Sequence, residues 1–234
     1  MFDETRPYIT RSIGRQVEEL SVVSRAARSL AGVSRRMRNR NQDSYILSTS
    51  AKLDALSSAV VANIFRDADI PYAIAGALAC GLWSVPCGTI DVDMNVFVLR
   101  NSASGIRDVL NLLENKGVLF CDDNEEPISK EMCSISIRNG SDLIGTLGLM
   151  RLTIFFSNDS PADLTLLAKE RCELVEIDSE KISFLSAESI AIFKLICKRS
   201  KDVADLEKLF CTQRGTLDTS NVCYFNNYMK KTSH

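Results

Sequence analysis

The chain has 234 residues, 45% hydrophobic and 25% charged, enough for one good-sized core or a domain with a helical appendage. Lys plus Arg number 28 and Asp plus Glu 30, a formal charge of −2, so neither a global basic field for nucleic acid nor an acidic solvating tail is present. The one histidine is the last residue, His234, which excludes Ser/His/Asp and Cys/His nucleophile systems and histidine-bound zinc; chemistry must run on carboxylates, lysine, tyrosine or thiol.

Residues 1–49 read as an arginine-rich helical extension. Between Arg11 and Arg40 stand eight arginines against Glu18 and Glu19. Val17, Leu20, Val23, Ala27 and Leu30 recur at helical spacing and predict an amphipathic helix over 14–31. Such a helix packs on the main domain with its charged face in water; the alternative is an arm that touches the phosphates of RNA or of a nucleotide tail. A second helix is expected from Ala51 to Ala68, capped by Ser50, with Leu53, Leu56, Val60 and Ile64 as its apolar stripe.

From Ile70 to Ile90 no residue is charged, a length that would span a bilayer. Pro71 and Pro86, three glycines and the immediate Asp91 predict a buried strand, a turn and a short helix instead, and no membrane partner. The short strand ends at Gly76, and Ala77 to Trp83 forms the helix. Asp91 to Leu99 reads as a strand with Val92, Met94, Val96 and Val98 on one face. Ser102 or Ser104 caps a helix carrying Ile106, Val109, Leu110 and Leu113, stopped by Gly117. Strands are expected at 118–121, 131–138 and 145–156, with a loop over Asp122 to Pro127.

The last third is expected to be helical. Ser186 caps a helix with Glu188 in its first turn, Lys198-Arg-Ser-Lys-Asp interrupts it, and Val203, Leu206, Leu209 and Phe210 begin another. The eight cysteines include no C-x-x-C pair, and no cationic, apolar leader opens the chain; buried thiols in a reducing cytosol are expected. The order of elements predicts an α+β fold: a core over 50–184 and a helical subdomain over 185–234.

The informative stretch runs from Ala75-Gly76-Ala77 to Cys87-Gly-Thr89-Ile-Asp91-Val-Asp93. In a strand, residues i and i+2 share a face roughly 6–7 Å apart, so Asp91 and Asp93 point together while Val92 points away. Two carboxylates side by side repel unless something pairs them, and Mg²⁺ (or Mn²⁺) prefers such a pair together with substrate phosphate oxygens. A glycine followed by a small residue at a helix start lets backbone N–H groups approach phosphate.

This stretch resembles the signature of the nucleotidyltransferase fold, the DNA-polymerase-beta-like superfamily, and most of all small enzymes related to abortive-infection and type IV toxins. The tail, Phe184-Leu-Ser-Ala-Glu-Ser-Ile-Ala-Ile-Phe-Lys194 and then Arg199-Ser-Lys-Asp202-Val-Ala-Asp205, is similar to that group's C-terminal helical motif. The resemblance implies a mixed sheet flanked by helices and a C-terminal helical subdomain. It implies transfer of NMP from an NTP to RNA, protein or a small molecule, with two cations roughly 3.5–4 Å apart at the α-phosphate. By it Asp91 and Asp93 are the catalytic metal ligands, and Gly76, Ala77, Thr89, Lys194 and Asp202 bind the nucleotide.

Three departures open a second reading. Ala77 stands for a Gly or Ser, Cys87 for an Arg, and Thr153, in Arg151-Leu-Thr-Ile-Phe-Phe156, for the third carboxylate. Threonine is neither a strong base nor a full metal ligand. Asp159 and Asp163 follow nearby. The alternative is therefore a nucleotidyltransferase-like module that binds or regulates without catalysing; the buried acid pair, costly without a cation, favours the enzyme.

Overall fold

The computed structural model describes residues 59–86, 89, 91–159, 164–177, 180–220 and 222. The arginine-rich segment 11–40, the start of the helix expected from Ala51, and Cys87 and Asp163 lie outside them.

Residues 59–67 form helix α1. There follow β1 (Tyr72–Ile74), α2 (Gly76–Trp83), β2 (Asp91–Leu99), α3 (Ala103–Asn115), β3 (Leu119–Cys121) and α4 (Lys130–Arg138). Next come β4 (Leu143–Leu147), β5 (Met150–Ser157), α5 (Leu164–Lys169), β6 (Cys172–Ile177), β7 (Glu180–Leu185), α6 (Ala187–Cys197) and α7 (Ser200–Thr212). The seven strands make one sheet in the order β3-β4-β5-β2-β1-β7-β6. It is mixed: β2 runs parallel to β5 and β1 parallel to β7, and the other neighbours are antiparallel. The α+β fold expected from the chain's order of elements is present.

Alternation in β2 sets up the site. Val92, Met94 and Val96 are fully enclosed on one face, beside Leu152, Ile154 and Phe156 of β5. Helix α3 covers this face, coming close enough that a Cβ on Gly105 would sit 2.7 Å from Val98 Cγ1. Its Ile106, Val109, Leu110 and Leu113 are buried, and Ser102 Oγ accepts the N–H of Gly105 as N-cap. The residues between, Asp91, Asp93 and Asn95, therefore share the opposite face with Arg151, Thr153 and Phe155. Helix α2 packs on β2 and against α6 and α7. Two hydrogen bonds anchor its end: Trp83 Nε1 donates to the carbonyl of Leu185 (2.7 Å), and Gln213 Nε2 donates to the carbonyl of Trp83.

Three expectations are corrected. Residues 131–138 form a helix, not a strand: the alternating Cys133, Ile135 and Ile137 suggest period two, but only Cys133 and Ile137, four apart, are buried, and Ser129 caps the first turn. The run 145–156 is a hairpin, because Gly148 takes φ +60° and turns the chain through Leu149, which is 94% exposed. The last third is not wholly helical from its beginning either. Residues before Leu185 form the antiparallel pair β6–β7, whose pairing with β1 extends the sheet. The helix caps stand as expected: Ser186 Oγ accepts from Ser189 N–H, and Lys198 ends α6 in the left-handed conformation at φ +53°. No helix among the described residues is long and apolar enough to cross a membrane.

Candidate active site

Asp93 sits on β2 against the bend into α2, within the field of Arg199 and Lys201 at the start of α7. Gly76, with φ +57°, turns the chain from β1 into α2, and a Cβ built there would lie 1.9 Å from Asp93 Oδ2. The glycine is thus required twice, once for its backbone angle and once because the carboxylate occupies the side-chain position. The carbonyl of Asp93 accepts the N–H of Ala75 at 2.8 Å, locking the two elements in register. No side chain caps α2, so its first-turn N–H groups face the same corner without a side-chain acceptor. Ala77 is half-buried in that turn.

Asp91 opens the strand and is exposed. Thr89 Oγ1 accepts its backbone N–H at 3.1 Å, a turn that launches β2. The two aspartates lie on one face, as the alternation predicts, and Asp91's charge is felt at Asp93. Burial first, then that neighbouring charge, pushes the Asp93 carboxyl above its ordinary range; the charges of Lys201, Arg199 and Lys194 pull it back without cancelling the rise. Among the described residues neither aspartate has an ion-pair partner.

Thr153 occupies the place read from the sequence: it is Asp93's register partner across the parallel β2–β5 pair. Arg151 is the partner of Asp91 one step before. Its Nε is buried and without a hydrogen bond, and its charge lowers the Cys121 thiol, although burial outweighs this and raises that thiol overall. Asn95, 3% exposed and two residues beyond Asp93, likewise leaves its Nδ2 unpartnered. Asp159 is beyond the far end of β5, where Asn101 Nδ2 donates to it at 3.4 Å. No group of three or more His, Cys, Asp or Glu placed to hold a cation occurs among the described residues. The pair is a donor set of two hard oxygens, suited to a divalent cation that completes its shell with phosphate or water.

Lys194 and Asp202 are joined to each other in an ion-pair network at the α6–α7 turn. Asp202 is 0% exposed; its Oδ2 accepts from Arg199 Nε (2.8 Å) and the Arg199 N–H (3.2 Å), and its Oδ1 accepts from Lys194 Nζ (3.4 Å). Lys194 also donates to Asp205 Oδ2 at 2.7 Å. Burial alone would raise Asp202, but the Arg199 hydrogen bonds and the two positive charges hold it below its usual range. The network orients Arg199 at the mouth of α7, next to Lys201. Neither of these two was singled out from the sequence, although both stand inside the motif around Asp202; their relevance emerges only when α7 folds back toward β2.

The chain matches no protein-family profile and no curated protein. Its coordinates are similar to the solution structure of the antibiotic-resistance factor ANT(2'')-Ia, with a TM-score of 0.51 and 13% identity over 77% of this chain and 94% of that one. They are also similar to the crystal structure of ANT(2")-Ia in complex with adenylyl-2"-tobramycin, with a TM-score of 0.50 and 12% identity over 74% and 98%. The fold is that of the nucleotidyltransferases. At this identity the likeness concerns the path of the nucleotidyltransferase fold alone, and the residues must speak for the chemistry.

Proposed function

We propose that the chain is a nucleotidyltransferase that moves NMP from an NTP to an acceptor hydroxyl, with Asp91 and Asp93 as the ligands of a divalent cation, Mg²⁺ or Mn²⁺. The observation that carries this reading is the Asp93 carboxylate, raised by burial and by Asp91, without an ion pair, and wedged against the Gly76 bend. A scaffold aspartate in that position would be paired within the chain, as Asp202 is. When bound, the cation polarises a phosphoryl oxygen as a Lewis acid. The uncapped first turn of α2, at Gly76 and Ala77, offers N–H groups to the β- and γ-phosphates. Thr89 fixes the backbone of Asp91, and Lys194 and Asp202 hold Arg199 toward the anion rather than touching it. In the transfer, the acceptor oxygen bonds to the α-phosphorus, the α–β bridging P–O bond breaks, pyrophosphate leaves, and the hydroxyl proton passes to solvent.

Thr153 in register with Asp93 favours a second reading, binding without transfer, because no third carboxylate stands on β5. Incubation with α-³²P-labelled NTPs, Mg²⁺ or Mn²⁺, and total cell RNA or protein separates the two. Label transfer lost in Asp91→Ala supports the enzyme. Saturable nucleotide binding with no transfer to any acceptor supports the binding module.

A further inference from the structure

Four observations around Asp93 concern how much positive charge the chain itself brings to a bound nucleotide. The neighbouring strand places Thr153, a neutral hydroxyl, beside Asp93, and among the described residues no third acid joins the pair. Helix α7 packs against α2, whose first turn borders Asp93, and at its start Lys201 is exposed, has no ion-pair partner among the described residues, and adds its charge to the field at Asp93. Arg199 reaches Asp93 as well, while Asp202 clamps its guanidinium through Nε at 2.8 Å and Nη2 at 3.2 Å. Deeper on the same face of β2, Asn95 keeps an unpartnered amide donor although only 3% of it is exposed.

We infer that this site holds one divalent cation per chain, on Asp91 and Asp93, and that Lys201 and Arg199 of helix α7 take the place of a second cation on the nucleotide's phosphates. The inference rests on the proposed nucleotide site and narrows it. In a two-metal site the ions clamp the attacking and leaving oxygens of one phosphate. With Thr153 on the β5 side, a second ion would find no acid beyond the Asp91–Asp93 pair among the described residues and would be held more weakly than the first. A lysine and an arginine supply the missing charge without a ligand set: the ammonium as a point charge, the guanidinium as a fork whose orientation Asp202 fixes.

The arrangement also assigns different tasks to the two cations. Arg199 is tied to Asp202 and so is a positioned group, whereas Lys201 is exposed and no ion-pair partner within the described residues competes for it. Removal of Lys201 should therefore act on nucleotide affinity and leave metal affinity alone.

Manganese counting tests this directly on the full chain. Free Mn²⁺ is followed by electron paramagnetic resonance while protein saturated with α,β-methylene-ATP is titrated. One bound Mn²⁺ per chain is expected for the wild type and two for Thr153→Asp. In Lys201→Met, whose changed side chain is exposed, α,β-methylene-ATP should bind about tenfold more weakly with the Mn²⁺ count still at one, the size of one lost charge-assisted hydrogen bond. Two Mn²⁺ in the wild type, a Thr153→Asp protein that folds yet still binds one, or unaltered nucleotide affinity in Lys201→Met would each overturn the inference while leaving the transferase reading standing. Failure of the wild type to bind either Mn²⁺ or the α,β-methylene analogue of any of the four NTPs would overturn both.

Discussion

Asp93, half-buried, and Asp202, fully enclosed, are two carboxylates whose surroundings drive them in opposite directions. Asp202 is sealed from solvent and accepts hydrogen bonds from Arg199 and Lys194, so its charged form is favoured despite burial. Asp93 is burdened by burial and by Asp91, accepts no side-chain hydrogen bond among the described residues, and its charged form is disfavoured. On the proposed function the difference separates scaffold from site. In the α6–α7 pair the chain neutralises its own buried charge; at the β2–α2 corner no described residue forms an ion pair with Asp93.

The contrast is broken most severely at Asp202. Asp202→Ala leaves Lys194 with Asp205 alone in a buried setting, and unfolding in urea should show a loss of about 3–5 kcal/mol. The pH dependence has a definite sign. Because the folded-state carboxyl is held below its ordinary value of 3.8, its contribution is complete above that value and is lost as pH falls through the lower, folded one. Wild-type stability in the acid limb should therefore fall more steeply than that of the variant.

Gly76→Ala attacks the other region. The new methyl would occupy the position of Asp93 Oδ2 at a backbone angle unfavourable to alanine, and the carboxylate must move by about an ångström or more. Transfer should drop about 100-fold, the scale of such misplacement, in an assay of kcat on protein confirmed as folded by circular dichroism.

Asp93→Asn sharpens the comparison, because it should stabilise the metal-free chain instead of weakening it. The folded pKa lies above the ordinary 3.8, so the folded state carries the full penalty above that raised value, and the penalty fades as pH falls toward 3.8. Thermal unfolding in EDTA should thus show a higher Tm for the variant at pH 7 and convergence with the wild type in acid. Were Asp93 a scaffold charge, the variant would be the less stable at pH 7. The smallest effect belongs to Thr89→Val, which removes the acceptor for the Asp91 N–H and should cost about 1 kcal/mol in the same melts.

Much of this was legible in the sequence where spacing and chemistry agree. Alternation in 91–99 foretells both the apolar face and the shared orientation of Asp91 and Asp93, and the serine caps of α3 and α6 stand where expected. Periodicity failed where a run is short. Cys133-Ser-Ile-Ser-Ile137 satisfies period two and period four equally, and only packing on α3 and β4 decides for the helix. The ion pair between Lys194 and Asp202 was not legible, because an ammonium and a carboxylate eight residues apart on successive helices show nothing of their closure until the left-handed Lys198 turns α7 back. Arg199 and Lys201 escaped notice for the same reason: a cation's partner lies across the fold, not along the chain.

On the proposed function, Asp93 is kept without a partner for a divalent cation. Unfolding temperature with and without Mg²⁺ plus α,β-methylene-ATP, in the wild type and in Asp93→Asn, measures this most directly, since a ligand that binds only the folded state raises Tm by mass action. A rise in the wild type that is absent from the variant is the predicted result. Equal rises in both proteins, or none in either, would contradict it.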